Sequence, residues 1–194
     1  MIDVSFLYAD RDARREGQLR IPAGGRTTIP VRRTVGLSGT RASVELVSVN
    51  AVRVVAERTT SGVDSGGSWR RATVGARASA TSWVMPTTVD GDLVFSNVST
   101  FSAKVRVHFG YAYSEGDTFD KVIDMPARSR FVYPQAAGFS LPGDPFPRTS
   151  GTLRVTSQPT ANGTAELVVE GLAFQDDSGS PLRRPSGVLA TPVP

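Results

Sequence analysis

A chain with one histidine and no cysteine has few routes to covalent or metal chemistry. The histidine, His108, lies in Lys104-Val105-Arg106-Val107-His108-Phe109. Strict alternation there assigns Val105, Val107 and Phe109 to the buried face of a strand, and Lys104, Arg106 and His108 to the wet one. Without a second histidine it lacks the partners of a metal site, and the flanks of Ser96 and Ser99 lack the glycine-rich elbow that presents a hydrolase nucleophile. No catalytic residue, metal or cofactor is expected.

Two further clusters sit around one hairpin loop. Glu115, Asp117 and Asp120 supply the carboxylates that Ca²⁺ favours, but their spacing matches no calcium loop. The corresponding earlier loop, Asp10-Arg11-Asp12-Ala13-Arg14-Arg15, balances its acids with arginine, which marks both as solvated turns. Tyr111, Tyr113 and Phe119 flank the loop. As exposed rings they would form a flat platform for a sugar; packed across the hairpin they would be structural. Asn97-Val98-Ser99 and Asn162-Gly163-Thr164 fit the glycosylation pattern, which so short a motif meets by chance.

The elements that position these residues are written twice. Asp3-Val4-Ser5-Phe6-Leu7-Tyr8-Ala9 matches Arg106-Val107-His108-Phe109-Gly110-Tyr111-Ala112, and the segment from Leu19 to Ile29 is echoed by that from Val122 to Val132, with Pro-Ala-x-x-Arg between two apolar strands in both, Pro22 to Arg26 and Pro126 to Arg130. Downstream, Val44-Glu45-Leu46-Val47-Ser48 matches Leu153-Arg154-Val155-Thr156-Ser157, and Val52 to Glu57 matches Ala165 to Glu170. The offset grows from about 103 to about 113 residues at Gly/Pro/Ser-rich stretches, as when loops vary and strands do not. Proline cannot serve a central ladder, so Pro22 and Pro126 should each end an edge strand and start a sharp crossing. Arg26 with Glu57, and Arg130 with Glu170, are the natural structural ion pairs.

Valine and threonine dominate every patterned segment while glycine and proline punctuate the intervals, and no stretch has a helical apolar face. The fold class is all-β. Seven strands are expected in the second repeat, near 82–85, 92–96, 103–111, 118–124, 130–134, 151–157 and 165–173. The first repeat holds counterparts of the later ones only: 4–8, 18–21, 27–31, 41–48 and 51–58. Its two opening strands have no equivalent, so the expectation is two tandem immunoglobulin-like β-sandwich modules with the first incomplete. Residues 1–60 form the partial repeat, 61–80 a linker, 81–174 the complete repeat and 175–194 a flexible tail. A half-covered sandwich exposes sheet edge: the favoured expectation is that the sequence as given begins inside a longer polypeptide, and the alternative is a strand added from the linker, the tail or a second copy of the chain.

All but Lys104 and Lys121 of the 22 basic residues are arginine, scattered among carboxylates, with a net charge of +4. No nucleic-acid-binding motif accompanies them. Neither a signal peptide at Met1 nor an apolar run of membrane-spanning length is present in the chain as given.

The chain resembles a family of tandem β-sandwich repeats in large surface or secreted proteins of high-GC bacteria. The residues that carry the resemblance are Thr81-Ser82-Trp83, Leu93-Val94-Phe95-Ser96-Asn97, Val105-Arg106-Val107-His108-Phe109, Pro126-Ala127-Arg128-Ser129-Arg130 and Val168-Val169-Glu170. In the first copy, Val55-Ala56-Glu57-Arg58 keeps a closing arginine that Gly171 replaces in the second. The resemblance implies a structural or adhesive module outside the cytoplasm, facing a protein or polysaccharide surface, and no enzyme. The rival readings are a carbohydrate-binding module and a subunit of a homopolymeric filament or surface layer.

Overall fold

The computed structural model describes residues 1–31, 42–64, 67–76, 78–88, 91–111, 118–134, 150–175 and 184–193. Strands β1 (Ile2–Leu7), β2 (Arg14–Leu19) and β3 (Ser43–Ser48) form a sheet in the order β2-β1-β3, and β4 (Glu57–Asp64) and β5 (Gly67–Val74) form a separate hairpin. The remaining strands are β6 (Ser82–Thr88), β7 (Gly91–Asn97), β8 (Ala103–Tyr111), β9 (Thr118–Met125), β10 (Ser129–Pro134), β11 (Ser150–Gln158), β12 (Leu167–Gln175), β13 (Arg184–Leu189) and β14 (Thr191–Pro192). They make two antiparallel sheets, β14-β6-β11-β8-β9 and β10-β7-β12-β13.

These two sheets share one core. Val105, Val107, Phe109 and Leu153 of the larger sheet meet Leu93, Phe95, Leu167 and Val169 of the smaller, all at 0% exposure. Period-two alternation puts every second residue of each strand on that side, where burying an aliphatic or aromatic side chain is worth about 1.5–3 kcal/mol. Trp83 ties the layers together: from β6 its indole Nε1 donates to the carbonyl of Leu167 in β12 at 3.0 Å. The chain crosses between sheets where proline stops the ladder. Met125 ends β9, Arg128 takes a left-handed φ of 46°, and Ser129 opens β10 with its Oγ donating to the Pro126 carbonyl at 2.7 Å.

The first repeat reproduces part of this arrangement, with a register shift between Val4 and Ser5 in the β1–β2 pair that β8–β9 lacks. Ile2 pairs with Leu19 and Phe6 with Val44, just as Val105 pairs with Ile123 and Phe109 with Leu153. Phe6 and Val44 stand over their counterparts Phe109 and Leu153 in the duplicated sequence blocks, so the strand order β2-β1-β3 repeats β9-β8-β11. Val4, Phe6 and Tyr8 form its small core, with Leu19, Ile29 and Leu46 packed alongside.

Several segments differ from expectation. Residues 27–31 and 51–56 belong to no strand. Their counterparts, β10 and β12, are strands because β7 lies between them and pairs with both; the first repeat has no sequence equivalent of β7, so neither segment finds a ladder. The stretch expected as a linker carries the β4–β5 hairpin. The stretch expected as a flexible tail supplies β13, which covers the edge of β12, and β14, which covers the edge of β6. Its prolines fit because both are edge strands, which need only one row of backbone hydrogen bonds.

Candidate functional site

His108 and the acids near it lie on the outer face of the larger sheet. His108 stands opposite Asp120 in the β8–β9 register, and its Nδ1 lies 3.1 Å from Oδ2 of that carboxylate. Arg106 donates from Nε to Oδ1 at 2.7 Å, and Lys104 donates to Asp124 at 2.9 Å. The Arg106 hydrogen bond, followed by that of His108, holds the Asp120 carboxyl below its ordinary pKa, while Asp120 raises that of Arg106. A carboxylate so placed is a poor proton acceptor.

No nucleophile completes a relay with His108 among the candidates. Ser96 Oγ donates to Ser43 Oγ at 2.8 Å, and Ser99 Oγ accepts from the Glu166 amide at 2.8 Å. Among the described residues no three acids or histidines gather so as to hold a metal. Glu115 and Asp117 lie outside the described residues, and Asp120 is engaged by Arg106 and His108. The geometry is that of cross-strand ion pairs on a wet sheet face.

Of the three rings of the expected aromatic platform, only the side chain of Phe119 is described. Phe119 is partly buried against the core of the two C-terminal sheets rather than turned to solvent. Tyr111 closes β8 opposite Gly151. Tyr113 lies outside the described residues.

The recurrent arginines and glutamates are used differently from the expected pairs. Glu170 is held by both terminal nitrogens of Arg58; Arg130, the expected partner, is buried. Arg26 makes no ion pair with Glu57 among the described residues; the Glu57 carboxylate accepts from Thr59 Oγ1 at 3.4 Å instead. With 27–31 outside any ladder, Arg26 does not lead into a strand, whereas Arg130 lies within β10. The signal for Arg58 was its place as the closing arginine of the first repeat.

These contacts line a seam between the two repeats. Glu45 on β3 binds Arg128 in the crossing turn, Ser43 meets Ser96 on β7, and the Arg130 amide donates to the Tyr8 carbonyl at 2.8 Å. Val94, Ser96 and Arg130 point away from the C-terminal core, yet all three are buried. Ser5 and Leu7, on the opposite side of β1 from Val4 and Phe6, are buried as well. The outer faces of two sheets therefore cover each other.

Asn97 is the residue that sequence reasoning missed. Fully buried, its Nδ2 donates to the carbonyls of Phe101 at 2.9 Å and Pro126 at 2.8 Å, and its Oδ1 accepts from the Ser99 amide at 3.0 Å. It fastens the loop after β7 to the crossing turn after β9. An amide so enclosed is a staple and offers no acceptor for a glycan. Its place at the end of Leu-x-x-x-Asn was the available signal.

No protein-family model matches the chain, and no curated protein is measurably similar to it. A solved structure titled "Crystal Structure of Thermotoga maritima 1070" aligns at 10% identity and a TM-score of 0.41, covering 59% of this chain and 95% of that one. Among the described residues no helix is long and apolar enough to cross a membrane.

Proposed function

We propose that the protein is a non-enzymatic structural or adhesive unit of a cell-surface or extracellular assembly, built from tandem immunoglobulin-like β-sandwich repeats, and that it meets protein or polysaccharide partners through surface shape. The observation that carries this reading is the repeat of β9-β8-β11 by β2-β1-β3 in the same strand order, with the two copies seamed by Arg58–Glu170, Arg128–Glu45 and Ser43–Ser96. Duplicated sheets that cover each other suit a spacer that keeps its length and direction. The titratable side chains on the outer sheet face are spent on one another, which favours recognition over turnover.

Surface proteolysis tests this. Intact cells that produce the protein are treated with a protease that cannot enter them, and an antibody to the second repeat is applied before and after. Loss of the signal is expected. Full retention in intact cells, with loss after lysis, would place the chain inside the cell and overturn the reading.

A further inference from the structure

The second repeat is an internal control for the first. Leu153, Ala165 and Leu167 are all at 0% exposure, whereas their counterparts Val44, Val52 and Val54 are at 42%, 58% and 43%. The difference has a definite origin. Leu153 lies beside Met85 of β6, and β12, which begins at Leu167, pairs along β7. Among the described residues β3 pairs only with β1, and residues 51–56 join no ladder. What the first repeat lacks is one hairpin, whose first strand would lie along β3 and whose second would lie between residues 27–31 and 51–56.

We infer that the first repeat is an acceptor for a β-hairpin of the β6–β7 type, supplied by polypeptide outside residues 1–194. The pattern of the occupant follows from the contacts that β6 and β7 make. Its first strand alternates apolar residues and carries an indole that donates to the Val54 carbonyl, as Trp83 does to that of Leu167. Its second strand presents apolar residues to Val52 and Val54, which are 58% and 43% exposed, and ends in an asparagine that reaches the Pro22 carbonyl, as Asn97 reaches that of Pro126.

Other occupants fit less well. The tail is spent on the second repeat as β13 and β14, and β4 and β5 pair with each other. In a second copy of the chain the β6–β7 hairpin is held inside its own sandwich, with β7 between β10 and β12. Joining β3 edges of two copies would cover Val44 and leave Val52 and Val54 in water. A hairpin alone satisfies both positions by strand addition. This inference rests on edges and exposure, so it stands apart from the proposed surface role: intracellular location would leave it untouched.

The test adds a synthetic peptide with the sequence of residues 82–97 to the full chain and follows amide hydrogen exchange by mass spectrometry. Protection of residues 43–48 and 51–56 should rise at least tenfold at saturation, with a stoichiometry of one peptide per chain. A peptide carrying Leu93→Asp should protect neither segment. The chain variant Val54→Asp should lose the response while keeping the exchange pattern of residues 82–111, which reports that the second repeat remains folded. The inference is overturned if the peptide gives no protection, if the Leu93→Asp peptide protects equally, or if the same segments become protected on raising the chain concentration alone. The last result would assign the edge to a second copy.

Discussion

Arg58 binds Glu170 with both terminal guanidinium nitrogens, Nη1 at 3.3 Å from Oε2, and so joins the start of the β4–β5 hairpin to the middle of β12. The arginine is half exposed and the glutamate mostly covered. A partly exposed bidentate pair is worth about 0.5–1 kcal/mol. A double-mutant cycle with Arg58→Met and Glu170→Gln, measured by urea unfolding, should return that coupling. The same cycle on Arg26 and Glu57 should return none, and comparable coupling there would contradict the observed geometry.

Asn97→Ala should be far more costly than its small size suggests. It removes two donated bonds and one accepted bond of a fully buried side chain, leaving the Phe101 carbonyl and the Ser99 amide without that partner, while the Pro126 carbonyl keeps the Ser129 hydroxyl. Each orphaned buried group costs about 1–3 kcal/mol, so a total loss of about 3 kcal/mol is expected from denaturant unfolding. Asn97→Asp should be worse at neutral pH and milder in acid. A carboxylate facing two carbonyls has its folded pKa raised, so the folded state is favoured while the group is protonated and penalised as pH rises.

The Asp120 carboxyl works in the opposite sense. Its folded pKa is lowered, first by Arg106 and then by His108. Its contribution to stability is therefore complete above the unfolded value of about 4 and lost as pH falls through the folded one. Asp120→Asn should flatten the acid limb of the stability curve and leave the region above pH 5 nearly parallel to the parent. Chemical denaturation from pH 2 to 7 checks it; an unchanged acid limb would mean that solvent screens the pair completely.

What the sequence made legible was what alternation encodes. Lys104 to Phe109 gave β8 its faces, and Pro126 marked the crossing between sheets, because a missing N–H and a period of two are properties of the chain itself. Segments 27–31 and 51–56 have strand composition and are not strands, since a ladder needs a neighbour and theirs would be β7-like. Residues 184–192 were misjudged for a related reason: composition reports what can form a core, whereas an edge strand needs chiefly backbone. The partner of Glu170 was illegible because the seam that brings Arg58 to it is tertiary. On the outer sheet face, His108 was correctly placed on the wet side, but its contact with Asp120 depended on the β8–β9 register.

Gly151 and Gly110 are diagonal neighbours across β11 and β8, Gly151 standing opposite Tyr111 and Gly110 opposite Thr152, and should respond oppositely to alanine. A Cβ on Gly151 would stand 2.3 Å from the Gly110 carbonyl oxygen and 2.6 Å from Phe109 Cζ, whereas one on Gly110 meets nothing within 4 Å. Backbone cannot yield as a side-chain tip can, so Gly151→Ala should cost about 3 kcal/mol. Gly110→Ala should stay within about 1 kcal/mol of the parent. Similar unfolding midpoints for the two variants would refute the close approach.

Deleting residues 184–194 from the otherwise intact chain should destabilise both C-terminal sheets at once. β13 pairs with β12 from Glu170 opposite Leu189 to Gln175 opposite Arg184, the Ala190 amide then donates to the Val169 carbonyl at 3.1 Å, and the Val193 amide donates to that of Ser82 at 2.9 Å. The segment thus runs from the smaller sheet to the larger, and Ala190, at 5% exposure, closes the gap between them. Its removal uncovers the backbone of β12 along one edge and of β6 along another, and exposed edges template pairing between chains. The shortened chain should unfold at lower urea concentration and self-associate at concentrations where the intact chain does not, with light scattering reporting the second effect. An unchanged midpoint would mean that β13 and β14 merely lie on the sheets; a lowered midpoint without association would mean that β12 and β6 are shielded by other means.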